Sequence, residues 1–308
     1  MKVSFVATVL NEEENILKLL DSLEIQTKKP DEVIIVDGGS KDSTVKLVKS
    51  FASESLLNYR ILEEKSNRAR GRNLGIGRAS GEVVAVSDAG CVLSKHWLER
   101  ITKPLIEGKV DAVAGFYRMK KNTIFTHCSA PFFGPMSHNI DRKTFLPSSR
   151  SIAFTKAAWK KVHGYPTSVH SAAEDSVFAQ LLFDDPVIKM VTHTSALVEW
   201  SQPDNFKKFF TDIGKHVKGD LEAGYSPHLK KNALVAIRYA LAVPLILATV
   251  ISGSQTMAVI TWFLVVIYLI YPSLKFIRLV SHPLHPVYFA ALQITADVAV
   301  LTALLTPK

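Results

Sequence analysis

Cysteine is nearly absent from this chain: Cys91 and Cys128 are the only two in 308 residues. Two thiols exclude a disulfide framework, cannot alone complete a four-ligand zinc site, and suit a reducing compartment. Glycine (15) and proline (14) are sparse and follow no period, which excludes collagen-like and low-complexity chains. A P-loop is missing. Gly71, Gly75 and Gly77 are wrongly spaced for a dinucleotide fingerprint, and no strand-like run directly precedes them. The net charge of +9 comes without a basic-aromatic module, so no nucleic acid is expected as a partner. Where a small-residue cleavage site would follow the first apolar run, Asn11-Glu12-Glu13-Glu14 stands instead, so no signal peptide is expected. The longest absence is of charge itself: no Asp, Glu, Lys or Arg lies between Arg238 and Lys275.

What is there divides the chain. Hydrophobic residues make up 47%, too many for a disordered chain. The uncharged run is about 54 Å long as a helix, too long for one membrane crossing and suited to two. Its polar break, Ser252-Gly253-Ser254-Gln255-Thr256, is where a hairpin would turn. A third apolar stretch contains Gln293 and Asp297, and a carboxylate at mid-span is costly unless it faces protein. Spans are expected at 235–252, 256–274 and 284–305. Lys230, Lys231 and Arg238 precede the first and Lys275 and Arg278 follow the second, so the positive-inside rule puts the N-terminal part in the cytoplasm. The expected domains are 1–231, cytoplasmic, and 232–308, in the membrane. Within 204–220, Phe206, Phe209, Phe210, Ile213 and Val217 share one helical face and lysines occupy others, a pattern of interfacial helices. An ordinary helix packed on protein has the same pattern.

Before position 120, strand-like runs (3–9, 32–36, 59–62, 82–87, 112–117) alternate with helix-like runs (13–23, 43–51, 68–79, 95–106). That alternation predicts a doubly wound, mostly parallel α/β sheet, which binds ligands beyond the carboxyl ends of its strands. Residues 121–149, rich in Pro, Gly, Phe and His, read as an irregular functional loop. After the first, second and fourth strands come Asn11-Glu12, Asp37-Gly38-Gly39-Ser40 and Asp88-Ala89-Gly90. Carboxylates there can accept from ring N–H groups or share a divalent cation with a diphosphate, and glycines let backbone approach a ligand. Each alone reads equally as a turn or a helix cap.

Together with Arg68-Ala69-Arg70-Gly71-Arg72-Asn73, with Arg150-Ser151-Ile152-Ala153-Phe154 and with Ala173-Glu174-Asp175, these segments resemble the inverting nucleotide-sugar glycosyltransferases of family 2, with the GT-A fold. The resemblance covers roughly residues 1–220. It implies that Glu12, Asp37, Gly39, Arg72 and Asp88 contact the nucleotide sugar. It implies that Asp88 holds a metal, Mg²⁺ or Mn²⁺, and that Asp175 is the general base. Arg150, Glu174 and Trp200 would position the sugar or the acceptor. The sequence departs from the family at Gly90, where a second metal-binding Asp is usual. Metal then rests on Asp88 and the diphosphate with another ligand, such as a histidine, or binds weakly. The implied enzyme is a multi-pass membrane protein that moves a sugar from a nucleoside diphosphate to a polyprenyl-linked glycan acceptor. Two alternatives stay open: a polyprenyl-phosphate monosaccharide synthase, and a non-catalytic nucleotide- or lipid-binding assembly partner.

Overall fold

The computed structural model describes residues 1–134, 140–170, 172–224, 226–280 and 282–306. The elements run β1 (Val3–Val9), α1 (Ile16–Glu24), β2 (Glu32–Asp37), α2 (Thr44–Glu54), β3 (Tyr59–Glu63), α3 (Arg68–Arg78), β4 (Val83–Val86), β5 (Cys91–Leu93), α4 (Trp97–Ile106) and β6 (Ala112–Met119). They continue with α5 (Ile124–Ser129), β7 (Ile152–Thr155), α6 (Lys156–Lys161), α7 (Glu174–Asp184) and β8 (Met190–Trp200). Four helices follow: α8 (Phe206–Ala223), α9 (Ser226–Ser252), α10 (Gln255–Phe276) and α11 (His285–Leu305).

The chain forms two compact units, Met1–Lys120 with Pro135–Ser201, and Lys121–Gly134 with Gln202–Lys308. The first is an α/β unit on one eight-stranded sheet of order β3-β2-β1-β4-β7-β6-β8-β5. Strands β3, β2, β1 and β4 are parallel throughout. Beyond β4 the sheet is mixed: β7 is antiparallel to both neighbours, β6 and β8 are parallel, and β5 is antiparallel to β8. Every residue of β2 is buried, as a Val-Ile-Ile-Val run covered on both faces requires. Helix α1 buries Ile16, Leu19, Leu20 and Leu23, the face its periodicity predicts. Helix α3 starts at Asn67, whose side chain accepts from the Arg70 N–H, and rides close on the sheet. A Cβ at Gly75 would stand 2.7 Å from Val6 Cγ1. That close approach carries Arg72, one turn earlier, under the strand ends. Both cysteines are free and fully buried. Burial pushes the Cys91 thiol up to about 12 and the Cys128 thiol up to about 11.

The second unit is helical. Residues 121–134, expected to be irregular, contain α5 and a 3-10 turn at Ala130–Phe132, and Thr123 caps α5 reciprocally with Thr126. The rest of that expected loop includes 135–139, with His138, which lie outside the described residues. The centre of the apolar stripe of α8 is covered by protein, while Phe206 at its start stays exposed: Phe209 is fully buried among Phe125, Phe132, Phe133 and residues of α11. Val217 packs with Val300 and Ala303 further along. Phe209 and Val217 of the stripe therefore have protein partners inside this unit, and Lys207, Lys208, Lys215 and Lys218 are exposed.

Residues His228–Ser252, Gln255–Phe276 and His285–Leu305 form three helices long and apolar enough to cross a membrane. Asp297 is 2% exposed, and its carboxylate has partners on all three. Arg238 and Tyr268 donate to Oδ2 at short range, Tyr239 donates to it at 3.2 Å, and Gln293 donates to Oδ1 at 2.9 Å. This is how a mid-helix carboxylate is tolerated: it faces protein and is paired. Asp297→Leu is expected to lower the stability of the detergent-purified protein by on the order of 2 kcal/mol, because it leaves the Arg238 charge without a counterion. Adding Arg238→Met should recover most of that loss in thermal unfolding. A double variant no better than the single one would remove the ion pair from the account.

Candidate functional site

The site begins with sheet polarity. Because β1, β2 and β4 run parallel, their carboxyl ends fall on one edge, and Glu12, Asp37 and Asp88 follow or end those strands. Asp37 is 3% exposed and accepts from the Gly39 N–H (2.9 Å) and the Ser40 N–H (3.0 Å). Its carboxylate thus holds its own turn, and Gly39, at φ +102°, supplies the backbone conformation that turn needs. The loop after β1 is stitched to the same turn. Asn11 Oδ1 accepts from the Lys41 N–H (2.8 Å), and the Glu12 N–H donates to Thr44 Oγ1 (2.8 Å). Burial raises the Glu12 carboxyl above its ordinary value, against a hydrogen bond from Asn15 that lowers it; the charge of Asp88 adds to the rise.

Arg72 is the centre of the second cluster. It is 2% exposed, and its two terminal nitrogens reach Glu174 Oε1 (2.5 Å) and Asp88 Oδ1 (2.8 Å). Glu174 opens α7, is itself buried, and also accepts from the Ala173 N–H at 3.1 Å. The guanidinium lies 5.3 Å from the Tyr165 ring centre. Arg72, expected beside the nucleotide, therefore ties the end of β4 to the start of α7. Glu174, expected to orient a sugar, is held by Arg72.

Asp175, the next residue, is half-buried and accepts from Ser148 Oγ (2.9 Å), the Ser149 N–H (3.3 Å) and, on its other oxygen, the Ser176 N–H (2.8 Å). Burial pushes its carboxyl up, but the Arg72 and Arg150 charges and the hydrogen bonds from Ser148 and Ser149 outweigh that and hold it below the ordinary carboxylate value. Arg150 lies against two rings, with its guanidinium carbon 3.8 Å from the Trp200 ring centre and 5.0 Å from that of Tyr117. Its Nη1 is 3.1 Å from Ser148 Oγ. Ser148 and Tyr117 were not legible in the sequence: a serine in a loop and a tyrosine on a strand carry no spacing signal. Trp200 ends β8, and a Cβ on Gly90 would stand 3.7 Å from its indole.

The geometry joins Arg72, Asp88, Arg150, Glu174, Asp175 and Trp200 into one cluster, with Glu12, Asp37 and Gly39 in the stitched loops on the same strand edge. Two guanidinium groups stand among three carboxylates there, and the two ion pairs of the cluster among the described residues are both made by Arg72. Among the described residues no group of three or more His, Cys, Asp or Glu could hold a metal. Asp88 alone, with one oxygen on Arg72, suits a hard divalent cation that brings most of its ligands as water and phosphate oxygens.

The family described as "Glycosyl transferase family 2" matches residues 4–159. Glycosyltransferase AglE of Haloferax volcanii is 33% identical over 49% of this chain and 48% of its own length. The chain thus spans about half of that relative. The O-antigen chain rhamnosyltransferase RfbN of Salmonella typhimurium is 23% identical over 68% of this chain and 71% of its own. Among solved structures, the mannosyltransferase PcManGT of Pyrobaculum calidifontis, in complex with GDP-Man and Mn²⁺, aligns with TM-score 0.66 at 20% identity over 97% of this chain and 87% of its own. S. aureus TarS 1-349, in complex with UDP-GlcNAc, aligns with TM-score 0.54 at 18% identity over 97% of this chain and 90% of its own. The expected α/β fold is observed, followed by C-terminal helices of membrane-span length.

Proposed function

We propose, from the premise that this chain belongs to glycosyl transferase family 2, that it moves a sugar from a nucleoside diphosphate to a lipid-linked, polyprenyl-type glycan acceptor, with inversion at the anomeric carbon. The observation that carries the reading is Arg72, which ties Asp88 to Glu174 and so fixes Asp175 beside it on the strand edge. The GDP-Man complex of PcManGT and the sugar-transfer names of AglE and RfbN support the donor class.

Inversion is an in-line displacement: the acceptor oxygen attacks one face of the anomeric carbon as the diphosphate leaves from the other. Asp175 takes the proton of an acceptor hydroxyl as the bond forms. Ser148, the Ser149 N–H and the Ser176 N–H fix the orientation of its carboxylate. The carboxyl is held below its ordinary value, so the base form persists through neutral pH and is lost only as pH falls below the usual carboxylate range. Asp37, Gly39 and Glu12 form the nucleoside side of the site; Trp200 and Arg150 form the side toward the acceptor. Asp88 would hold Mg²⁺ or Mn²⁺, which supplies charge to the departing diphosphate. The three long apolar helices suit a lipid acceptor, and the basic residues at their ends, Lys230, Lys231, Lys275 and Arg278, support a cytoplasmic α/β unit at the cell membrane by the positive-inside rule.

The test is transfer by detergent-purified protein from a panel of labelled nucleotide sugars to native membrane lipids, with and without chelator. Donor-specific label is expected in the lipid phase. Chelator and Asp88→Ala should each lower it by about a hundredfold or more, a loss comparable to removing one charge-stabilising group. Intact nucleotide binding without transfer from any donor would favour the non-catalytic assembly partner instead.

A further inference from the structure

We propose that Arg150 is a phosphate-binding residue, and that Gly90 leaves its charge available for that ligand. The proposal deepens the reading of this site as a sugar-transfer site and rests on it.

The argument is one of charge accounting around two guanidinium groups that sit in the same cluster. Arg72 has a carboxylate on each terminal nitrogen. Arg150 makes no ion pair among the described residues. Its Nη1 meets only a hydroxyl, Ser148 Oγ at 3.1 Å, and its Nε is buried with no hydrogen-bond partner among those residues. Its guanidinium carbon lies 3.8 Å from the Trp200 ring centre and 5.0 Å from that of Tyr117, two rings set nearly perpendicular to each other, so the group is held in an aromatic corner. A buried donor without an acceptor is costly, and an anion that takes two parallel N–H bonds recovers that cost. Arginine on an aromatic platform is preorganised for a phosphate in a way lysine is not.

The position of the group is also defined. The Arg150 carbonyl accepts from Ser87 Oγ at 2.7 Å, and Ser87 directly precedes Asp88. Through Ser148 the side chain reaches Asp175. Arg150 thus lies between the acid expected near the donor diphosphate and the acid expected near the acceptor. Gly90 completes the account. A side chain there would begin 3.7 Å from Trp200 Cδ1 and Nε1, on the indole that carries the guanidinium. A second acid at position 90 would place a carboxylate next to Arg150 and take up its charge. Glycine removes that competitor. The ligand chemistry is a phosphate oxyanion, from either the donor diphosphate or the phosphate of a lipid acceptor.

The full chain in detergent, in EDTA, is titrated with UDP and GDP against uridine and guanosine, and with farnesyl phosphate against farnesol. Arg150→Met is expected to weaken at least one phosphorylated probe tenfold or more and to leave its unphosphorylated counterpart unchanged. The probe that weakens names the source: nucleoside diphosphates for the donor, farnesyl phosphate for a lipid phosphate. Arg150→Lys should fall between wild type and Arg150→Met. Gly90→Asp tests the same charge without touching Arg150, and should weaken the same probe. That variant also decides the matter if Arg150→Met does not fold. The proposal is overturned if Arg150→Met binds every probe as wild type does, or loses both members of a pair in equal proportion. It is also overturned if Gly90→Asp leaves phosphate affinity unchanged. Sugar transfer by the wild-type chain is scored separately. Transfer with unaltered phosphate binding in the variants sinks this proposal alone; phosphate binding lost without any wild-type transfer sinks the sugar-transfer reading alone.

Discussion

Asp175→Asn is expected to cut the turnover of a hydroxyl acceptor by about 10²–10⁴-fold, the range over which a positioned base acts. The substitution keeps the size of the side chain and an oxygen that can accept from Ser148 Oγ, now at 2.9 Å, so the turn at residues 148–149 has no reason to collapse. What it removes is the ability to carry a proton away. The loss should therefore fall on kcat, with nucleotide affinity near wild type. An acceptor whose attacking oxygen is already an anionic phosphate has no proton to give up, and for it Asp175→Asn should change the rate only slightly. The variant reads acceptor chemistry as much as mechanism. A hydroxyl acceptor used by Asp175→Asn within threefold of the wild-type rate would remove Asp175 from the role of base.

Arg72→Met is expected to destabilise the protein by about 3–5 kcal/mol, as when one partner of a buried pair is deleted. Glu174, 3% exposed, would keep a carboxylate with no cation, while Asp88 is open enough to be solvated. Pairing the change with Glu174→Leu should return most of the loss, because an apolar pair of similar volume needs no counterion. The same variant has a chemical signature. The Arg72 charge is the foremost influence holding the Asp175 carboxyl down against burial, so without it that carboxyl rises. The acid limb of the pH–rate profile, where base function is lost as pH falls, should then move to higher pH. Denaturant titration and the pH profile together separate a strut from a bystander: unchanged values in both would make Arg72 a bystander.

The parallel half of the sheet was legible because burial on two faces writes itself as unbroken Val-Ile runs, as in β2. The three long C-terminal helices were legible for a different reason, as apolar runs long enough to cross a membrane. Strands β5 and β7 were not: three and four residues carry too little pattern. Strand β8 hides because its first half, Met190–Ser195, is polar and partly exposed. In the site, Asp37 and Asp88 could be read because they stand at or after strand ends, and Asp175 because of its family-like place in the order of motifs. Their partners could not. Nothing local says that Arg72 reaches a residue 102 positions away, or that Ser148 meets an acid 27 positions later. Such pairings are set by tertiary packing, here by Gly75 letting α3 settle on β1 and β2.

The two buried thiols have a practical consequence. Cys91 and Cys128 are inaccessible and held as thiols by burial, so neither should react with a maleimide while the protein is folded. The natural sequence is then its own cysteine-silent background. A single cysteine introduced into the loop at 253–254, or at an exposed lysine such as Lys65, would be the sole labelling point. Sided reagents applied to sealed vesicles could then report which face of the bilayer each position meets, without altering either natural thiol.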